Sequence, residues 1–311
     1  MPTECAPVSL DAGISAHRGL DRLREWLKLH GRALVHRQAT RDWLRQLAEQ
    51  PLMRDLLRIS PGLMKKIYRP YFSASLSHGQ RVELLRTHYR HLGLHGLGSL
   101  VQRAARGPVP LGSVSGKSGQ VYALQLSAIG VMEREGELVL QLLDGAGVLY
   151  SVAFCFLLEG AAIHIGIGGL QGPKQAGRLE RVQHATRDLH GLRPKNLMVR
   201  LVARWGCEHG CAGMILVGNG NRTVRDAMRR GKVHADYDAL WREFDAVARG
   251  DGNYALPCHL PPPLTTKARK RHEVAHAFCS AMSDALGVWK RSRHAVTVPA
   301  PGWPRDLLDA A

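Results

Sequence analysis

Between Leu20 and Gln50 the apolar residues recur at intervals of three and four: Leu23, Trp26 and Leu27, then Trp43, Leu44 and Leu47. That is the period of an amphipathic helix. Pro51 closes the segment, Leu52–Leu57 continues it, and Ser60-Pro61-Gly62 breaks it, with Pro61 suited to a first helical turn. Ser75-Leu76-Ser77 is placed to cap a further helix from His78 to Leu92. The pattern predicts a helical region over 16–105, preceded by a disordered stretch over 1–15. Gly93–Gly119 is rich in glycine, serine and proline and reads as the internal boundary.

The period then changes. Gln120–Leu126, Leu138–Leu143 and Tyr150–Leu158 are short runs of Val, Leu, Tyr and Phe, separated by turns at Glu135-Gly136 and Asp144-Gly145-Ala146-Gly147. This is a β-meander pattern. Gly160 leads into a fourth strand, Ala161–Gly169. A helix is expected from Pro194, with Leu197, Met198, Leu201, Val202 and Trp205 on its apolar face. A strand over Gly213–Val217, a loop at Asn219–Asn221, a helix over Arg222–Arg230 and a short strand at Tyr254–Leu256 follow. The expected class is therefore α+β: a helical N-terminal region, then a mixed, mostly antiparallel sheet with helices over 120–260. A basic C-terminal helix within 261–298 and a loosely ordered tail over 299–311 complete the reading.

Composition adds three things. The 311 residues are 45% hydrophobic, which suffices for a packed core, and no apolar run reaches the roughly 18 residues of a membrane span. Met1–Leu10 lacks the basic start and apolar centre of a secretory signal, so a cytoplasmic protein is expected, with the periphery of the inner membrane left open. The six cysteines do not form a disulfide-type pattern; Cys207, His209 and Cys211 are at most half a zinc site, and no metal is assigned. The formal charge of +17, carried mostly by arginine, implies an anionic partner: a phosphorylated small molecule, a membrane surface or a nucleic acid. Aromatics are only 6%, few for stacking single-stranded bases. Lys65, Lys66 and Arg69 read as a solvated face, with contact to an anionic surface as the alternative.

Candidate chemistry gathers between Ala161 and Arg230. Gly166, Gly168, Gly169 and Gly172 close a strand, where glycines serve a bulge, close packing, or a nest of backbone N–H groups for an anion. The glycine spacing is not the dinucleotide fingerprint, and a P-loop is excluded because Pro173-Lys174 is followed by glutamine rather than Ser or Thr. Gln171 is the exposed polar group of the run. Arg193 and Lys195 flank a helix start at Pro194 and are the favoured anion contacts. His164 is a candidate general base, as histidine is the side chain type suited to that role near neutral pH, but a lone strand histidine is more often a hydrogen-bonded core residue. Asn219 is either a ligand contact or a left-handed turn residue. His184 and Asp188 share a helix face.

The order strand, Asp188–Arg193 loop, helix, strand, Asn219, helix resembles the core of the GCN5-related N-acetyltransferase fold over about residues 120–235. That resemblance implies a site for acyl-CoA, its pyrophosphate at the helix start. A second resemblance rests on Ile167-Gly168-Gly169-Leu170-Gln171-Gly172, Leu189–Lys195, Val217-Gly218-Asn219, Asp236-Tyr237-Asp238, Trp241-Arg242-Glu243 and Tyr254–Pro257. These residues are similar to the VirK/YbjX family of bacterial proteins, which implies a role in virulence or at the cell envelope without a settled activity. Together they lead to one expectation of function: acyl transfer from a phosphate-bearing donor. Gly168, Gly169, Gln171, Gly172, Arg193, Lys195 and Asn219 would hold the donor, and His164 would serve as base. The rival is a non-catalytic basic protein on a membrane surface or nucleic acid.

Overall fold

The computed structural model describes residues 8–173, 177–224, 235–260 and 266–291. Helices α1 (Gly19–Val35), α2 (Arg37–Glu49), α3 (Pro51–Ile59), α4 (His78–Leu94) and α5 (Gly98–Arg106) form the N-terminal region. Their limits follow local chemistry. Pro51 opens α3 at its first turn. Ser77 and Gln80 form a reciprocal capping box at the start of α4.

Strands β1 (Val109–Ser115), β2 (Val121–Ala128), β3 (Leu138–Asp144), β4 (Gly147–Glu159) and β5 (Ala162–Gln171) make the meander. Helices α6 (Arg178–Asp188) and α7 (Pro194–Glu208) then cross to β6 (Gly213–Leu216). Helix α8 (Tyr237–Arg242), strands β7 (Val247–Ala248) and β8 (Tyr254–Leu256) and the long α9 (Thr266–Arg291) follow. The sheet order is β1-β2-β3-β4-β5-β6-β8-β7; every pair is antiparallel except β5–β6. The α+β class with its mixed, mostly antiparallel sheet is therefore observed.

On one face of the sheet α7 packs: the Trp205 ring lies 5.3 Å from that of Phe154, and Gly206 lets the helix sit on Ile165. Elsewhere the sheet carries Phe72 and the segment between β2 and β3, and here the glycine run explains itself. The register slips between Ala153 and Phe154, so Gly168 is the extra residue of a β-bulge. A Cβ there would stand 1.9 Å from the Glu135 carbonyl oxygen; at Gly169 it would strike the Glu135 carboxylate, and at Gly166 the Phe72 ring. These glycines permit close packing in extended backbone.

Several expectations change. Residues 8–15 are not disordered: Ser9 caps a short 3-10 helix, Leu10–Ile14, and Ile14 is fully buried. Residues 1–7 lie outside the described set. The segment 93–119, read as an internal boundary, contains α5 and β1. Gly112, in left-handed backbone, admits Ala281 of α9 at a distance that no side chain would allow. Of Lys65, Lys66 and Arg69, expected as a solvated face, only Arg69 is exposed, and Lys65 and Lys66 are buried. Lys66 is buried against the fully buried Glu137, which also takes the Tyr89 hydroxyl. Lys65 pairs with Glu25 at 2.7 Å, and Arg69 with Glu133 at 3.5 Å. The helix expected over Arg222–Arg230 lies mostly outside the described residues, and the expected tail over 299–311 lies wholly outside them.

Candidate anion-binding cavity at the start of α7

Residues 168–171 of β5 run on past the last β5–β6 pair, Ile167 with Leu216. Beyond it the two parallel neighbours are no longer paired. The gap is occupied. The Tyr237 hydroxyl accepts from the Leu170 N–H at 2.6 Å and donates to the Leu170 carbonyl at 2.7 Å, standing in for a strand. Arg222 lies 3.7 Å over the Tyr237 ring, and the Trp241 indole N–H donates to the Val217 carbonyl at 2.9 Å. Burial and the nearby Glu135 carboxylate raise the Tyr237 pKa, so this phenol stays a neutral donor.

Asn219 is part of the same plug. Its side-chain oxygen accepts from Tyr237 N–H at 2.9 Å and its amide donates to Asp236 at 2.7 Å. Asp236 in turn caps α8 through Ala239 N–H at 3.0 Å. Gln171 is exposed at the end of β5, and Gly172 abuts the Tyr150 ring. His164 stands half-buried at the opposite end of β5 from Gln171, beside Gly213. At about 3.3 Å per residue the strand separates the two by roughly 20 Å. Asp188 accepts from Ser118 N–H at 2.7 Å and so fixes the β1–β2 turn.

The open space lies elsewhere, at the N-terminal end of α7. A cavity of 540 Å³ is lined by Gly191, Leu192, Arg193, Asn196, Arg200, Glu243, Arg271 and His272. That is ample for a nucleotide-sized ligand. Pro194 starts the helix, and left-handed backbone at His190 and Gly191 turns the chain so that α7 opens onto this space. The helix start carries partial positive charge. Glu243 is the carboxylate of the lining, and it sits at the rim, 3.1 Å from Arg193 and 3.0 Å from Lys195. Burial pushes the Glu243 carboxyl up, but the Lys195 hydrogen bond and the charges of Lys195 and Arg193 outweigh it and hold the pKa below the usual value.

Deeper in, Arg200 and Arg271 have no ion pair among the described residues. Arg271 Nε and Asn196 Oδ1 are buried without a hydrogen-bond partner there. Burial lowers the Arg200 pKa from its ordinary value. Such groups are costly unless something satisfies them. A second hollow of 350 Å³ continues between α7 and α9; it shares Arg200 and His272 with the first and adds Cys207, Cys258 and Cys279. Among the described residues, no group of three or more His, Cys, Asp or Glu is placed to hold a metal ion.

Of the residues singled out from sequence, Arg193 lines this cavity and Lys195 reaches its rim. Asn196, Arg200, Arg271 and His272 were not singled out as ligand contacts. A signal existed: Arg193, Asn196 and Arg200 recur at three and four, a polar stripe beside the apolar face of α7.

Comparison with known proteins bears on this fold and site. The family model described as "Protein of unknown function (DUF535)" matches residues 18–276. The chain belongs to that family. It is 29% identical over 260 residues to "Uncharacterized protein YbjX" of Escherichia coli strain K12, covering 82% of this chain and 79% of that one. The similarity to YbjX agrees with the family resemblance read from the motifs. An "Uncharacterized protein" of Haemophilus influenzae is 29% identical over 116 residues, 36% of this chain and 37% of its own. Among solved structures, two mutant forms of the cAMP-binding acyltransferase from Mycobacterium smegmatis align at 12% identity, with TM-scores of 0.29 and 0.31. They cover 66% and 68% of this chain, and the chain spans 61% and 60% of their length. At such scores the likeness carries no statement about activity. Among the described residues, no helix is long and apolar enough to cross a membrane.

Proposed function

We propose that this DUF535 protein binds a phosphate-bearing small molecule in the cavity at the start of α7. Arg200 and Arg271 would take the phosphate, Asn196 would take a neighbouring hydroxyl or amide, and the Arg193–Lys195–Glu243 cluster would form the mouth. One observation carries this reading: a 540 Å³ cavity lined by three arginines and one carboxylate, with buried polar atoms of Asn196 and Arg271 lacking partners. A phosphate answers both features, by bidentate charge-assisted hydrogen bonds and by the helix terminus.

Acyl-CoA is one ligand of this class, and acyl transfer to an amine or hydroxyl is the activity it would support. The geometry favours binding over that reaction. Tyr237 fills the parting of β5 and β6, and His164, the base expected from sequence, lies at the far end of β5 from Gln171 and does not line the cavity.

Isothermal titration with acetyl-CoA, a long-chain acyl-CoA, ATP and inorganic phosphate tests the proposal. At least one organic phosphate should bind, and Arg200→Gln or Arg271→Gln should weaken it at least about tenfold, the order of a lost charge-assisted bond. Binding that survives both substitutions, or no heat with any phosphate, would overturn it.

A further inference from the structure

We propose that the outward face of α1 docks the protein on an anionic lipid surface. Leu20, Leu23, Leu27 and Leu34 are spaced by three, four and seven, which puts them on one stripe of α1. They are 85%, 55%, 59% and 62% exposed. Leu29 and Ala33, the buried residues of α1, face the opposite side, towards the core. A single exposed leucine is ordinary on a protein surface, whereas four in a row on one helix call for an occupant. Beside the stripe, Gly19, Arg22, Leu23 and Trp26 line an open hollow of 400 Å³, an aromatic ring next to a guanidinium.

Charge decides the occupant. Arg18, Arg22, Arg24, Lys28, Arg32 and Arg37 are all exposed along this segment. Arg22, Arg24 and Arg32 have no ion pair among the described residues, and the acids of α1 are engaged: Glu25 with Lys28 and Lys65, Asp21 with His17. An apolar stripe with Arg24 and Lys28 along one side and a tryptophan at its other edge is the make-up of a helix that lies in a lipid interface. A second copy would bring the same cations against themselves, on a chain of formal charge +17. A nucleic acid would satisfy the arginines and leave the leucines in water. Since no described helix can cross a bilayer, attachment through α1 is peripheral. This surface is independent of the α7 cavity.

The experiment is co-sedimentation of the full chain with vesicles of phosphatidylcholine alone and of phosphatidylcholine with phosphatidylglycerol, at low and high salt. The wild type should pellet with the anionic vesicles, less so at high salt. Leu23→Ser with Leu27→Ser should reduce partitioning about tenfold or more, with melting temperature unchanged because both side chains are exposed. Arg22→Glu with Arg24→Glu should lose the preference for phosphatidylglycerol. If the serine pair melts early, Leu20→Gln with Leu34→Gln reads the same stripe from its ends. Undiminished partitioning of the leucine variants would overturn the proposal. So would a wild-type dimer that those variants convert to monomer, or binding confined to RNA or DNA.

Discussion

Tyr237 joins two elements with one oxygen. Its hydroxyl satisfies both backbone groups of Leu170 where β5 has lost its neighbour. Tyr237→Phe keeps the ring and Arg222 above it but leaves a buried N–H and a buried carbonyl without partners. The expected cost is about 1–3 kcal/mol. Chemical denaturation should show this as a lower midpoint with an unchanged slope. A midpoint equal to wild type would mean that water or a shift of β5 restores the bonds. Gly168 shows the same logic of close approach: its missing side chain is required by the Glu135 carbonyl.

At the scale of elements, α4 and the end of α7 bring histidines together. His91 lies 4.3 Å from His95, and His95 5.1 Å from His209, ring centre to ring centre. Burial, then the neighbouring His95 and His209, pushes His91 down to about 3. His209 is lowered to about 4 by burial, against the raising effect of its bond to the Trp205 carbonyl. Both folded values lie below the unfolded value of about 6.5. The unfolded chain therefore binds more protons in mild acid, and stability is lost as pH falls below about 6.5, down towards 4 and 3. By pH 5 the loss approaches about 2 kcal/mol for each histidine. Denaturation midpoints measured at pH 7 and pH 5 should differ accordingly. In His91→Phe with His209→Leu the difference should shrink; an equal pH dependence in that variant would assign the effect to other groups, such as His88 or His95.

Across the whole molecule, one hydrophobic core runs through the N-terminal helices, the sheet and α9. Phe278 and Met282 of α9 are fully buried, Leu286 nearly so, and Gly112 of β1 is cut away for Ala281. Three such side chains contribute about 1.5–3 kcal/mol each when buried, comparable with the roughly 5–15 kcal/mol that holds a whole domain. A chain ending at residue 260 should lose cooperative unfolding or soluble expression. A truncated chain with the wild-type melting temperature would show α9 to be an appendage. The cavity belongs to this scale too, because its lining comes from α7, α9 and the end of α8.

Local physics was enough for much of this protein. The period of three and four in α1–α4, the alternation and turns of the meander, and Pro194 at a helix start are short-range properties that a chain displays before it folds. The family motifs were visible for the same reason. Pairings across long separations were not: Lys66 meets Glu137 71 residues away, and Tyr237 meets Leu170 67 residues away. Gly112 and its neighbours read as an internal boundary because flexible composition and close helix–strand packing use the same small residues. The cavity was half visible, as Arg193 beside a helix start, whereas Arg271 comes from a helix that only tertiary packing sets against it. Sequence determined which segments could be helix or strand; the meeting of distant side chains decided which polar groups are plugs and which still face open space.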